Sequence, residues 1–329
     1  MGRFALVFPG QGSQHPGMGQ DLYRGHQSVR DLFAEAGNVL GTDMVSLCFT
    51  GPQELLDLTV NTQIAVLTVE IAAWRAFSER VAVKPFVMAG HSLGEYTALH
   101  AAGAVGLRDC ISVVHRRAQL HQEAVPVGEG AMAAILGLPR EEVEALCRER
   151  DAEDNAVAVS IENAPGQIVI SGHTWAVSEV IAAAGTQEGV RAVLLPISVP
   201  CHCRLLRGAA ERFATALGEI AFGDCEPPVI PNCDPLLLHS RERTPELLVR
   251  QITSPVRWRE TIARMAEMGV DTIVEIGPKR ILSGLIRRID RRFRLLNVED
   301  EASLEMTAAA LNGDVPEQNR SYRNSGAGE

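Results

Sequence analysis

Apolar residues fall along this chain in two alternating patterns: short unbroken runs, and longer stretches with a helical period. Phe4-Ala5-Leu6-Val7-Phe8 and Pro85-Phe86-Val87-Met88-Ala89 are runs of the first kind, and Thr272-Ile273-Val274-Glu275-Ile276, broken by Glu275, reads as a late core strand closing with the turn Gly277-Pro278. They lack polar alternation and are too short for helices, as expected of strands covered on both faces. Between them, residues 28–40, 63–80, 93–105, 108–124, 203–217 and 245–251 carry apolar positions at helical spacing. Strands alternating with helices predict an α/β core on a mostly parallel sheet.

From about residue 128 to residue 198 the units shorten. Strands are predicted at 131–136, 156–161, 167–172 and 191–197, with helices at 140–150 and 175–184. Strand, helix, two strands, helix and strand is the order of a ferredoxin-like unit. It predicts a small domain, residues 128–198, inserted into a larger one made of residues 1–127 and 199–311, with a cleft between them. Residues 312–329 turn polar and glycine-rich and are expected to form a disordered tail.

Composition narrows the classes. With 329 residues, 46% of them hydrophobic, the chain can bury a full core. No run approaches the ~20 apolar residues of a bilayer span, and no basic-then-apolar leader opens the sequence, so the expectation is a cytoplasmic protein without membrane contact. Seven cysteines, an odd number scattered through a large chain, suit reduced thiols. Cys201-His202-Cys203 has no second ligand pair to complete a tetrahedral shell, so no metal is expected. A net charge of −10 argues against nucleic acid as a partner. Basic residues do gather at Lys279-Arg280 and from Arg287-Arg288 to Arg294, where two readings stay open: a solvated helix face, or a docking patch for an acidic or phosphate-bearing partner.

The chemistry starts at Gly90-His91-Ser92-Leu93-Gly94-Glu95, a Gly-x-Ser-x-Gly segment after a predicted strand and before a predicted helix. That context is the mark of a nucleophile elbow, which projects Ser92 into a cleft for covalent acyl chemistry. The loop Pro9-Gly10-Gln11-Gly12-Ser13-Gln14 lacks the third glycine of a dinucleotide site, but at a strand end it can offer N–H groups to an oxyanion. Serine needs a base. Among nine histidines, His91 should point away from Ser92 and support the elbow, whereas His202 follows a predicted strand at a domain boundary. His202 is therefore either the base or an ordinary packed histidine. Arg117 falls inside the apolar stripe Cys110, Val113, Val114, Leu120, Ala124, while Arg116 should face solvent. An inward guanidinium is costly without an anion, so Arg117 either pairs with a protein carboxylate or is a seat for a substrate carboxylate such as that of a malonyl group.

These segments, with Gln122-Glu123-Ala124-Val125-Pro126, Asn163-Ala164-Pro165-Gly166-Gln167, Ser198-Val199-Pro200-Cys201-His202, Leu248-Val249-Arg250-Gln251 and Glu275-Ile276-Gly277-Pro278, resemble the bacterial malonyl-CoA:acyl-carrier-protein transacylase family from Phe4 to about Leu311. The resemblance implies an α/β-hydrolase-like large domain with an inserted ferredoxin-like one. It also implies ping-pong transfer of malonyl from malonyl-CoA to Ser92 and then to the phosphopantetheine thiol of an acyl carrier protein, in fatty-acid or polyketide synthesis. His202 would be the base, oriented by a main-chain carbonyl near Gln251; Gln11 and Leu93 would give the oxyanion N–H groups, and Arg117 would pair with the malonyl carboxylate. No cofactor is implied, and a monomer is expected.

Three positions depart from the family's usual pattern. Cys201 stands where serine is usual, His121 where methionine is, one helical turn beyond Arg117 and so expected to line the acyl pocket, and Glu162 where a neutral or aromatic residue is. They read either as drift or as altered acyl specificity, with His121 as a second cation-capable group that would make loading pH-dependent. Two other functions share the elbow: an editing hydrolase acting on acyl carrier proteins, which would gain nothing from a buried Arg117, and a silent carrier-binding module, against which Ser92 and His202 argue. Docking of an acidic carrier on this acidic chain would fall to Lys279, Arg280, Arg287 and Arg288.

Overall fold

Consecutive residues of a strand point to opposite faces of its sheet, so an unbroken apolar run needs a cover on both sides. The first strand shows this directly. In the computed structural model, which describes residues 2–126, 128–197 and 199–313, Phe4, Leu6 and Phe8 of β1 (Arg3–Phe8) enter one core and Ala5 and Val7 another. On the first face lies the helix Thr59–Arg80, most of which is buried. The second face packs on Trp258, Ile262, Met265, Leu282 and Ile286.

β1 is the centre of a parallel sheet. Its neighbours are β2 (Val87–Gly90) on one side and, on the other, the strand Val270–Ile276, which is followed outward by Arg294–Val298. The two-residue strand Val229–Ile230 flanks β2 at the other edge. The insert comprises β3 (Gly130–Leu136), β4 (Val157–Ala164), β5 (Gln167–His173) and β6 (Arg191–Leu194), antiparallel in the order β4-β5-β3-β6. With helices Arg140–Arg148 and Thr174–Ala184 on one face, this is the ferredoxin-like arrangement. The protein is thus an α/β-hydrolase-like body carrying a ferredoxin-like unit.

Insert and body are tied through β4. Val256 N–H donates to Ser160 O at 2.9 Å, and Glu162 N–H donates to Val256 O at 2.9 Å. The carboxylate of Glu162, buried at 2% exposure, is held by Arg140 of the insert at 2.8 Å and by Arg259 of the body. Glu162 is therefore engaged in ion pairs across the two units, which favours the reading of drift over that of altered acyl specificity.

Other expectations shift as well. The strand expected at 191–197 ends at Leu194, and the helix expected at 93–105 ends at Ala101, with Gly103 in left-handed backbone at φ 78°. The basic run from Arg287 to Arg294 is not one helix face: its helix, Ile281–Ile289, stops before Arg291 and Arg292, and Arg294 opens a strand. Asn312 closes the helix Glu301–Asn312 instead of starting a tail, and the rest of the expected tail, from residue 314, lies outside the described residues. No helix among the described residues is long and apolar enough to cross a membrane.

Candidate active site

β2 ends at Gly90, and the chain turns through Ser92 into the helix Gly94–Ala101. Ser92 lies in left-handed backbone at φ 52°, a conformation a serine adopts only when its surroundings hold it there. The two glycines of the motif are both required by space. A Cβ on Gly90 would stand 1.8 Å from the carbonyl carbon of Gly94, and one on Gly94 would stand 2.2 Å from Phe8 O. Two residues hold the turn: Asn232, which accepts from Ser92 N–H at 2.6 Å and donates to Gly90 O at 2.6 Å, and Gln251, which donates to Ser92 O at 2.9 Å.

His202 approaches from the chain leaving the insert. It too lies in left-handed backbone, φ 61°, in a turn ahead of the 3-10 segment Arg204–Leu206, and does not open a helix directly. Its Nδ1–H donates to Gln251 O at 2.7 Å, which fixes Nε2 as the acceptor, and Ser92 Oγ–H donates to that Nε2 at 2.7 Å. Burial, helped by the charge of Arg117, pushes the imidazole down to about 3. It is therefore a neutral base at physiological pH. A cavity of about 210 Å³ opens beside it between β4 and the turn at Thr253 and Pro255.

Arg117 lies on the helix Leu107–Ala124 at 1% exposure. Its Nη1 donates to Gln63 Oε1 at 2.7 Å, and its Nη2 donates to Ser92 Oγ and to Gln251 Oε1, both at 3.2 Å. Its Cζ stands 5.3 Å from the centre of the Tyr96 ring. Among the described residues no carboxylate pairs with it. No buried ion pair forms there among the described residues, and the guanidinium sits uncompensated by them beside the serine hydroxyl. Arg116, one position back, is half-buried and reaches Gln119.

The loop after β1 runs alongside the elbow: His91 N–H donates to Phe8 O at 2.8 Å, and a Cβ on Gly10 would touch His91 O at 2.5 Å. The main-chain N–H groups of Gln11 and Leu93 donate to no other group among the described residues. His91 turns away from Ser92, as expected. Its Nε2 pairs with Asn163 Oδ1 of β4 at 2.9 Å and its ring meets Trp258 edge-on at 5.4 Å.

Lys279 was expected in a docking patch, yet its Nζ donates to Gly12 O at 3.3 Å and Gln14 O at 3.2 Å, across the loop that carries Gln11. Arg280 faces Glu299 at 3.6 Å, and Arg288 donates to Gln167 of the insert at 2.9 Å. Arg287 is exposed and carries no such contact. Cys201 and Cys203 do not converge: one thiol meets His121 and the other donates to Pro200 O at 3.1 Å. Among the described residues no three metal-binding side chains come together.

Sequence reasoning missed the support of the elbow. Asn232 N–H donates to Glu95 Oε2 at 2.8 Å, and Glu95 Oε1 meets His239 Nε2 at 3.0 Å, all of it buried. The only signal for Asn232 was its place just after an apolar run, where loops of parallel sheets carry function. Gln63 gave none, because an apolar helix hides one glutamine well.

A serine hydroxyl bonded to a neutral, oriented imidazole, next to free N–H groups and an unpaired cation, is equipped for acyl transfer. The acyl transferase domain family matches residues 5–315. The chain is 40% identical over 311 residues to the malonyl CoA-acyl carrier protein transacylase of Bacillus subtilis (strain 168), spanning 94% of this chain and 98% of that one. It belongs to the malonyl CoA-acyl carrier protein transacylase family. With its counterpart from Escherichia coli (strain K12) it shares 42% identity over 289 residues, 88% of this chain and 93% of that one. The structure of the Coxiella burnetii transacylase superposes with a TM-score of 0.91 at 42% identity, over 94% of this chain and 98% of the other. A malonyl-transacylase solved in complex with its type II PKS acyl-carrier protein gives a TM-score of 0.90 at 43% identity, over 95% of this chain and 100% of that one.

Proposed function

We propose that this protein transfers a malonyl group from malonyl-CoA, through an ester on Ser92, to the phosphopantetheine thiol of an acyl carrier protein of fatty-acid or polyketide synthesis. The observation that carries the reading is the uncompensated Arg117 guanidinium, 3.2 Å from a serine hydroxyl that is itself bonded to a neutral imidazole.

In the first half-reaction Ser92 Oγ gives its proton to His202 Nε2 and attacks the thioester carbonyl. The oxyanion is met by the N–H groups of Gln11 and Leu93. Collapse of the tetrahedral adduct breaks the C–S bond, and His202 returns the proton to the CoA sulfur. The carrier's thiol then gives its proton to His202, attacks the Ser92 ester, and leaves as malonyl thioester while Ser92 regains its proton. Nδ1–H of His202 stays on Gln251 O throughout, so the imidazolium formed in each half-reaction is stabilised by that carbonyl. Arg117 pairs with the malonyl carboxylate, giving up its bond to Ser92 Oγ and fixing the acyl group for attack.

The chemistry is complete in these side chains and the two thiols, and no cofactor enters. Residues 128–198 act as a domain closing one side of the cleft over residues 1–127 and 199–311. The reaction is placed in the cytoplasm, with the protein acting as a monomer. Carrier docking falls to Arg287, with Arg288 and Arg280 at its margin.

The test is intact-mass spectrometry after brief exposure to malonyl-CoA or acetyl-CoA. A malonyl adduct that vanishes in Ser92→Ala and weakens in Arg117→Ala supports the reading. No adduct from either thioester, or equal loading by both, overturns it.

A further inference from the structure

His121 stands one helical turn beyond Arg117 on the helix Leu107–Ala124 and is fully buried. Its Nδ1 lies 3.7 Å from Cys201 Sγ. Burial pushes the Cys201 thiol up to about 12, so the sulfur keeps its proton and is able to donate it to Nδ1. Burial and the neighbouring charge of Arg117 push His121 well down, so the ring is neutral. A neutral ring does not act as the second cation that would make loading pH-dependent. A neutral imidazole that accepts at Nδ1 carries its one proton on Nε2. That Nε2–H is buried and has no hydrogen-bond partner among the described residues.

It is one of several such groups around the guanidinium. Among the described residues Gln63 Nε2 and Arg117 Nε are also buried without a partner. Gln63 already receives Arg117 at 2.7 Å, and the Tyr96 ring faces the guanidinium. Buried polar groups in native proteins are nearly always paired, so a local excess of donors around one cation marks a place where acceptors arrive with a ligand. A carboxylate brings two oxygens and a charge, more than a single guanidinium edge uses.

We infer that His121 is a specificity-determining residue of the acyl site: its Nε2–H donates to the terminal carboxylate of the acyl group held by Arg117, and the Cys201 thiol holds the tautomer that makes this possible. The inference rests on the proposed acyl transfer and deepens it. Acyl groups that end in a carboxylate are favoured by two donors from one helix, and acetyl gains from neither.

The experiment compares loading of Ser92 by malonyl-CoA and by acetyl-CoA, by rapid quench and intact mass, in the parent protein, His121→Met, His121→Gln and Arg117→Ala. Methionine keeps the volume and removes the donor, whereas glutamine restores an N–H near the Nε2 position. Loss of a hydrogen bond to a charged group corresponds to about a tenfold to hundredfold fall in the malonyl-to-acetyl ratio for His121→Met. Acetyl loading is expected to change far less than malonyl loading in His121→Met, and the ratio in His121→Gln to stay within about threefold of the parent. An unchanged ratio in His121→Met overturns the inference, as does an equal fall in both loading rates, which would mark a merely structural role. If the parent takes malonyl on Ser92 and Arg117→Ala abolishes its preference, a silent His121→Met removes this inference alone. If the parent takes no malonyl, the proposed acyl transfer falls with it.

Discussion

Ser92 and His202 meet at 2.7 Å from two turns that both hold left-handed backbone, at φ 52° and φ 61°. Neither conformation is one that its side chain prefers, and such positions cost on the order of 1–3 kcal/mol each. The strain is local to the pair and is held by Asn232 and Gln251. Ser92→Gly and Ser92→Ala remove the same hydroxyl, but only glycine relieves the backbone. Ser92→Gly is expected to be the more stable of the two by about 1 kcal/mol in urea denaturation, with both variants equally inert. Equal stability would mean that the turn is not strained.

The neutrality of His202 has a pH signature. Its pKa is pushed from 6.5 down to about 3 in the native protein, mainly by burial. The base is therefore free of a proton well below the ordinary imidazole range, and the rate of Ser92 loading is expected to stay flat from about pH 8 to about pH 5. A fall centred near pH 6.5 would refute the assignment. Stability follows the same shift: between about 3 and 6.5 the unfolded chain binds a proton at this position and the native one does not. The contribution is whole above 6.5 and is lost as pH drops toward 3. His202→Gln should lose stability less steeply than the parent over that window. The buried carboxyls Glu70 and Glu275, which are shifted upward, are common to both proteins and cancel in the comparison.

Arg117 opposes function to stability. A buried cation without an acidic partner destabilises the unliganded protein, and replacing it with an apolar side chain of similar length removes that cost. Arg117→Met is expected to match or exceed the parent's stability, by up to about 2 kcal/mol, while malonyl loading falls at least about a hundredfold. Thermal melting without ligand and single-turnover loading check the two halves separately. A variant that is less stable by several kcal/mol would show that the guanidinium's bonds to Gln63, Ser92 and Gln251 outweigh its desolvation.

Glu162 is predicted to act on the junction and not on the acyl group. Its carboxylate accepts from Arg140 and Arg259, both of which stay partly open to solvent. Glu162→Gln is expected to cost about 1–3 kcal/mol in denaturation and to leave the malonyl-to-acetyl ratio unchanged. A changed ratio would restore Glu162 to the acyl site.

What the chain discloses before folding follows from how local each feature is. The unbroken run at β1 and the stripe around Arg117 are set by neighbours in sequence, so strands, helices and an inward cation could be read directly. Ser92 was legible because the close passage of Gly94 past Phe8 demands a motif. The pairing of His202 with Gln251 O was reached through family resemblance, since a main-chain acceptor leaves no mark in the sequence. Asn232 and the Glu95–His239 pair were invisible because they are polar contacts spanning more than a hundred residues. The role of Glu162 stayed open between drift and acyl specificity for the same reason: Arg140 and Arg259 converge on it only when insert and body meet.

The carrier surface gives the last prediction. Of the four cations first grouped for docking, Lys279 is bonded to the loop carrying Gln11, Arg280 faces Glu299, and Arg288 reaches Gln167 of the insert. Arg287, exposed on the last turn of its helix, meets no acidic partner among the described residues, which leaves its charge to a docking protein. Charges at the rim of an interface govern association more than chemistry. Arg287→Glu should therefore lower kcat/KM for the carrier protein by about tenfold at low salt, with the difference shrinking as salt rises and screens the contact. Loading from malonyl-CoA should be untouched, because Ser92, His202 and Arg117 keep their places. Lys279→Ala should behave in the opposite way: by loosening the loop at Gly12 and Gln14 it should slow loading from malonyl-CoA as well, with no salt dependence. Equal loss of both half-reactions in Arg287→Glu would remove the docking assignment.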